Sequence, residues 1–160
     1  MEWQRRVDAV WASTGERSEA DVVAAIDALV AERPADDPSA VFEAAGARDF
    51  AGREAEAEPL YRRALELGLP DPWRAQAVIQ LASTVRNLGR ADESVELLQR
   101  ELAEHPEHEL ADAARAFLAL ALHDARRPTE AVRTALIALA PHLPRYRRPI
   151  AAYAEELGTS

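Results

Sequence analysis

A period of 37 residues is the feature that most constrains what this 160-residue chain can fold into. Gly52 and Gly89 are 37 residues apart, and the same step from Gly89 reaches Arg126 (89 − 52 = 37; 126 − 89 = 37). Two further sets of residues have the same spacing of 37. One set is Ala45, Ala82 and Ala119, and the other is Leu65, Leu102 and Leu139. A repeat of this length is typical of stacked helical pairs, because one pair cannot bury its apolar face alone.

The repeated positions have a physical meaning in a helix–turn–helix unit. A small residue in the middle of the first helix, such as Ala82, lets a neighbouring helix approach closely. A glycine after that helix, such as Gly89, can adopt positive φ without the penalty of a Cβ atom. Arg126 replaces the turn glycine in the third copy.

With this pattern the sequence resembles the tetratricopeptide repeat family. The matching residues are Leu81, Ala82, Gly89, Leu102 and Pro106 in the central copy; Ala45, Gly52, Ala57, Tyr61, Ala64 and Leu65 before it; Leu118, Ala119, Ala131, Ala138 and Leu139 after it. The period exceeds the family's usual length of about 34 residues, which we interpret as extra residues between pairs. The resemblance, closest to small stand-alone bacterial members, implies an all-α, right-handed α-solenoid of helix–turn–helix repeats.

We expect one domain over residues 1–160. It comprises a degenerate N-terminal helical pair (1–34), three repeats (38–141) and a C-terminal capping helix (145–157). Helices are predicted over 2–14, 19–33, 38–50, 53–67, 72–88, 91–104, 107–125, 128–139 and 145–157. Ser18 and Asp37 are predicted N-caps, Asp71-Pro72 is predicted to repeat the Asp37-Pro38 start, and Pro128 is predicted to open its helix. Pro149 should mark the first turn of the last helix or a kink.

The bulk composition excludes several classes of function. The net charge of −9 argues against nucleic-acid binding through a general basic surface. The chain has no cysteine, and neither a signal peptide nor a membrane span is visible in its sequence. We therefore expect a cytoplasmic protein without nucleic-acid or membrane partners.

No motif in the sequence indicates catalysis. Phosphate loops, nucleophile elbows and zinc signatures are absent from it. His105 and His108 stand near several carboxylates and could hold a metal, but we interpret them as residues of a solvated loop between helices. We expect a non-enzymatic protein with no cofactor and no metal.

The family resemblance also implies a binding site. In that family the first helix of each pair lines a concave groove that receives segments of a partner protein or peptide. We call the residues that the family pattern places on the groove side of these first helices the groove-phase residues. They are Phe42, Gly46, Asp49, Phe50, Gln76, Ile79, Ser83, Arg86, Asn87, Ala116, Leu120, His123 and Asp124. Arg86 and Asn87 are the central prediction, because an arginine fork and a carboxamide can hold a carboxylate or a peptide unit.

Three alternatives remain open from the sequence. Phe42, Ile79 and Leu120 could simply pack against neighbouring helices. The basic run Arg145–Arg148, with His142 nearby, could take an acidic partner or a phosphate, or could pair with acids of the preceding repeat. The chain could instead be a homodimer that buries Trp3 or Trp11 across a two-fold interface.

Overall fold

The regular structure of the chain is helical. The computed structural model describes residues 2–157, and this part of the chain contains no strand. The helices are α1 (Glu2–Ala12), α2 (Glu19–Val30), α3 (Pro38–Phe50), α4 (Glu54–Glu66), α5 (Trp73–Asn87), α6 (Ala91–Glu104), α7 (Ala111–Asp124), α8 (Pro128–Leu139) and α9 (Arg147–Glu156). Two 3₁₀ turns lie at Thr14–Glu16 and Ala140–His142.

The chain divides into two compact units, Met1–Thr84 and Val85–Ser160, and the boundary falls inside α5. In the first unit α1 packs on α2, α2 on α3 and α3 on α4. In the second unit α6 packs on α7, α7 on α8 and α8 on α9. In all six of these pairs, helices adjacent in sequence are neighbours in space, as helical repeats require. One domain over residues 1–160 stays a prediction.

Several helix starts follow the predicted capping. The Ser18 hydroxyl accepts a hydrogen bond from the Asp21 N–H at 3.2 Å. The Asp37 carboxylate accepts one from the Ala40 N–H at 3.0 Å, and Pro38 is the first residue of α3. Pro128 likewise opens α8. Each proline occupies a position whose N–H would have no partner within the helix.

Some predicted boundaries were wrong. Helix α7 begins at Ala111 and not near 107, because the His108 ring accepts the Leu110 N–H at 3.1 Å in a turn before it. Helix α5 begins at Trp73, so Asp71-Pro72, a cis peptide, does not repeat the start of α3. Helix α9 begins at Arg147 because Tyr146 is left-handed, with φ 66°. Pro149 lies in its first turn, as expected.

The other end points differ by one to three residues. Helix α1 ends at Ala12, before a 3₁₀ turn that contains Gly15, and α2 ends at Val30 rather than at Arg33. Helix α4 covers Glu54–Glu66, inside the predicted 53–67. Such fraying at helix ends is common and does not affect the packing.

The turn between the two helices of each pair has the same geometry three times. Gly52, Gly89 and Arg126 all have positive φ, at 65°, 85° and 59°. In each copy the residue after it donates its N–H to the carbonyl five residues earlier: Arg53 to Arg48 at 2.8 Å, Arg90 to Val85 at 3.0 Å and Arg127 to Leu122 at 2.8 Å. The positive-φ residue itself donates its N–H to the carbonyl three residues earlier in all three copies. This pair of hydrogen bonds is the Schellman helix ending, which favours a left-handed residue. The backbone conformation of the turns therefore confirms the 37-residue repeat, and Arg126 adopts the same conformation as the two glycines.

The residue after each turn also makes the same ion pair. Arg53 pairs with Glu56 at 2.5 Å, Arg90 with Glu93 at 3.0 Å and Arg127 with Glu130 at 2.6 Å. Each glutamate lies in the first turn of α4, α6 or α8, where a negative charge complements the helix dipole. These exposed pairs contribute little to stability, but they mark the start of each second helix.

Small residues occupy the predicted packing positions. Ala45 and Ala82 are fully buried in the first unit, and Ala119 is half-buried in the second. Large side chains fill the space around them, with Tyr61 in the first unit and Leu122 in the second both almost inaccessible. The close approach of α3 and α4 thus depends on small residues surrounded by large ones.

Candidate binding surface

Two predicted groove residues meet in the second unit. Arg86, near the end of α5, places its Nη1 atom 3.5 Å from the Oδ2 atom of Asp124, the last residue of α7. Its Nη2 atom donates to the Asn87 side-chain oxygen at 3.2 Å. The structure therefore joins the two central residues of the prediction to a carboxylate that belongs to the same predicted set.

The hydrogen-bonding capacity of Arg86 is not filled by these contacts. Its Nε atom is buried and has no hydrogen-bond partner. The ion pair to Asp124 is long, and the two side chains are 21% and 46% exposed. A long, partly exposed ion pair of this kind is weakly held, and its members can exchange each other for groups of a ligand.

The exposed side of α7 provides apolar surface and a hollow. Leu120 is 49% exposed, whereas Leu118 and Leu122 of the same helix are only 6% and 1% exposed. Beyond it, a pocket of about 460 Å³ is lined by His123, Asp124, Arg126 and Pro128. Its walls come from the end of α7 and the start of α8, so the turn at Arg126 positions it.

The predicted groove residues of the first unit divide into buried and accessible ones. Phe42 and Ile79 are only 5% and 6% exposed, and the Phe42 ring lies 6.1 Å from that of Tyr61. Phe50 is 42% exposed and meets the Trp11 ring edge-on, with centroids 6.0 Å apart. Gln76 is exposed and Ser83 is half-buried. Phe42 and Ile79 therefore act chiefly in the core of this unit.

Asp49 connects three helices of the first unit. The Tyr61 hydroxyl donates to one carboxylate oxygen at 3.2 Å, and the Thr84 hydroxyl lies 3.3 Å from the other. Burial raises the pKa of Asp49, and the hydrogen bonds from Tyr61 and Thr84 oppose that rise. Its contacts tie α3 to α4 and α5, which leaves it less free to meet a partner than Arg86.

Sequence reasoning missed a buried carboxylate, Glu43. It is 6% exposed and accepts a hydrogen bond from the Trp11 indole at 2.7 Å. Burial raises the pKa of Glu43, and the negative charge of Asp8 raises it further. The hydrogen bonds from Trp11 and Gln4 lower the pKa and so oppose this rise. Residues 37 and 74 positions further on are Gln80 and Phe117, so the repeat gave no signal for an acid here.

The two N-terminal tryptophans have partners within the chain. The Trp3 indole donates to the carbonyl of Leu29 at 2.8 Å, while Trp11 is bound to Glu43. The guanidinium of Arg33 lies over the Trp3 ring at 5.3 Å. Both rings therefore hold α1 onto the helices that follow it.

The other candidates for chemistry lie in exposed segments. Over residues 2–157, no group of three or more His, Asp or Glu side chains could hold a metal ion. His142, near the basic run Arg145–Arg148, lies 2.9 Å from Asp112, an acid of the preceding repeat. None of the helices in the described residues is long and apolar enough to cross a membrane.

A comparison with models of protein families agrees with the helical repeats described above. A model of the tetratrico peptide repeat matches residues 38–157, three quarters of the chain. The chain belongs to the tetratricopeptide repeat family. Its fold class is therefore all-α, an α-solenoid of helical repeats, and proteins of this family are generally non-catalytic scaffolds that bind proteins or peptides.

Solved structures show the same fold. Two crystal structures of nearly identical TPR-like repeats from Podosopora anserina, provisionally described as a kinesin light chain, align with TM-scores of 0.76 and 0.75 at 19% and 18% identity. They cover 98% and 99% of this chain and 82% and 87% of their own. YrrB, a TPR protein with an unusual peptide-binding site, aligns with a TM-score of 0.57 at 14% identity, over 97% of this chain and 86% of its own. No curated protein matches the sequence.

Proposed function

We propose that this protein is a non-enzymatic scaffold that binds a segment of another polypeptide on the groove-phase residues of α5 and α7. The observation that carries the proposal is the weak ion pair between Arg86 and Asp124 beside the exposed Leu120. A peptide backbone offers carbonyl acceptors for the guanidinium and N–H donors for the carboxylate. Leu120 offers an apolar contact for a side chain of the same segment.

Charge and exposure support this choice of residues. Arg86 has both a partly exposed side chain and an unsatisfied Nε atom, so a new acceptor would add a hydrogen bond without removing one from the core. Asn87, His123 and Asp124 are exposed and can donate or accept.

The test begins with a selection, because no partner is assigned. A displayed library of random peptides is enriched on the immobilised full chain, and the affinity of a selected peptide is measured by calorimetry. Arg86→Ala should raise its Kd about tenfold, the effect of losing a hydrogen bond from a charged group. The far-ultraviolet circular dichroism spectrum should stay unchanged, since the side chain is at the end of α5.

Arg100→Ala is the matched control. Arg100 is an exposed arginine on α6, outside the groove-phase set, so its removal changes the net charge equally. It should leave the Kd within about twofold of the wild-type value. Equal affinity of the peptide for the wild-type chain and the Arg86→Ala variant, or failure to select any peptide, would count against the proposal.

A further inference from the structure

A groove between α8 and α9 differs in charge from the rest of this acidic chain. Its volume is about 370 Å³, and it lies wholly within the second unit. Its walls include Arg133 and Ile137 from α8, Pro141 from the turn that follows, and Arg147, Arg148 and Glu155 from α9. Three arginines and one glutamate give the groove a positive charge, whereas the whole chain carries −9.

In the described part of the chain, the three arginines of the groove, Arg133, Arg147 and Arg148, have no carboxylate within ion-pair distance. The charge of Arg133 still reaches Glu130, whose pKa is lowered first by the hydrogen bond from Arg127 and also by Arg133. The Nε atom of Arg133 is buried and has no hydrogen-bond partner, while Arg147 donates its Nε–H to the carbonyl of Leu143. In contrast, each arginine that follows a repeat turn has its own glutamate.

An unfilled donor at a half-buried guanidinium favours a particular kind of ligand. A buried N–H without an acceptor is unfavourable, and an oxyanion that approaches side-on would accept from it. A carboxylate or a phosphate presents two oxygens that fit the arginine fork, which donates two parallel hydrogen bonds to them. Arg147 and Arg148, the first two residues of α9, could supply further donors to the same anion.

The remaining wall of the groove is apolar. Ile137 is half-buried, and Ala140, Pro141 and Ala151 lie beside it. This surface would be covered by a hydrocarbon or aromatic group, and a bare anion would leave it in water. The volume is in the range of small-molecule sites.

We propose that this groove binds a small organic oxyanion, a carboxylate or phosphate joined to an apolar group. Arg133 and Arg148 hold the anion, and Ile137 and Pro141 contact the apolar group. The site uses helices α8 and α9 and none of the residues of the proposed peptide surface, so the two proposals stand or fall separately. Glu155 limits the affinity, because its carboxylate repels an anion in the same groove.

The test uses phenyl phosphate as the probe, with the full chain observed by two-dimensional ¹⁵N NMR and by calorimetry. Saturable binding at one site is expected, with the largest amide shifts between residues 133 and 155. Phenyl phosphate should bind about tenfold more tightly than inorganic phosphate, because only the former covers the apolar wall. Benzyl alcohol, which has the ring without the charge, should not saturate over the same concentrations.

Substitutions then separate the groove from general electrostatics. Arg133→Gln and Arg148→Gln should each raise the Kd of phenyl phosphate about tenfold, whereas Glu155→Gln should lower it. Arg145→Gln is the control, since Arg145 is an exposed residue of the same basic run but does not line the groove. Arg148 is exposed, so its variant keeps the test valid if Arg133→Gln fails to fold.

Three results would overturn the proposal. Equal affinity for phenyl phosphate and inorganic phosphate would show that the apolar wall is not used. Equal losses from Arg145→Gln and Arg148→Gln would show attraction to the basic run as a whole. Binding of an acidic peptide at residues 133–155, without binding of phenyl phosphate, would assign the groove to a protein partner instead.

Discussion

At the scale of single residues, the turn after α7 shows how strongly the repeat determines the backbone. Arg126 has φ 59°, within a few degrees of the 65° of Gly52, although it carries a side chain. Left-handed backbone costs a non-glycine residue about 1–2 kcal/mol. The surrounding pair of hydrogen bonds, identical to those at Gly52 and Gly89, holds Arg126 in that conformation.

Replacing Arg126 by glycine should therefore stabilise the protein. Relief of the left-handed strain, about 1–2 kcal/mol, exceeds the extra entropy that glycine brings to the unfolded chain, about 0.4–1 kcal/mol. Urea denaturation should show a free energy of unfolding raised by about 0.5–1 kcal/mol. Arg126→Ala, which keeps the Cβ atom, is the control and should change little. A decrease in the Arg126→Gly variant would contradict this account of the turn.

A second residue-scale prediction concerns the pH dependence that Glu43 confers. Burial raises the pKa of Glu43 in the folded state above its value in the unfolded chain, so folding favours the protonated form. Its contribution to stability is therefore fully present below the unfolded pKa and is lost as the pH rises through the folded pKa. Glu43→Gln keeps an acceptor for the Trp11 indole and does not titrate.

The Glu43→Gln variant should become more stable relative to the wild type as the pH increases from about 4 to 7. The free energy of unfolding of both proteins, measured in urea across this range, gives the difference directly. Glu96→Gln, which removes an exposed carboxylate of α6, corrects for the change in net charge. A difference that stays constant with pH, or that moves the opposite way, would show that Glu43 is not buried as a carboxylate.

At the scale of helices, close packing depends on alanines at the repeated positions. Ala45 of α3 and Ala82 of α5 have no accessible surface, and Ala57 and Ala64 of α4 are equally buried. Helices that meet through methyl groups come nearer than helices that meet through leucines. Large residues such as Tyr61 and Leu81 then fill the space to either side.

Ala82→Leu should lower the free energy of unfolding by about 1–3 kcal/mol, because three additional carbons have no space in a packed core. Ala55→Leu is the matched control, since Ala55 is exposed on α4 and its replacement leaves the packing unchanged. Thermal denaturation followed by circular dichroism measures both. If the two variants melt alike, Ala82 does not lie at a close helix crossing.

At the scale of the whole molecule, the 37-residue phase predicted more of the fold than any single motif. The glycine turns, the alanine positions, the helix starts after Ser18 and Asp37 and the helix start at Pro128 could be predicted, because each has a local physical cause. The start of α7 could not, since it depends on a contact between the His108 ring and the Leu110 N–H. Glu43 was missed because its partner Trp11 is 32 residues away and outside the repeat.

The candidate site was only partly predictable, for a similar reason. The position of a residue within the 37-residue repeat predicts the face of the helix on which it lies, but it does not determine how deeply that face is buried. Phe42 and Ile79 share the groove phase with Phe50 and Leu120, yet only the second two have large exposed surface. Two arginines of the α8–α9 groove, Arg147 and Arg148, lie beyond the three repeats of the prediction. The residues 37 and 74 positions before Arg133 are Glu96 and Pro59, so the repeat gave no signal for an arginine there.

The most direct test of the central claim is the map of amide shifts when a selected peptide is added to the ¹⁵N-labelled chain. The account predicts that the largest shifts fall on residues 86–87 of α5 and 120–124 of α7. Arg86→Ala should reduce these shifts severalfold at a peptide concentration near the wild-type Kd, because its own Kd is about tenfold higher. Shifts confined to α4, α6 and α8 would place binding on the second helices of the pairs. That result would contradict the claim that the groove-phase residues bind the partner.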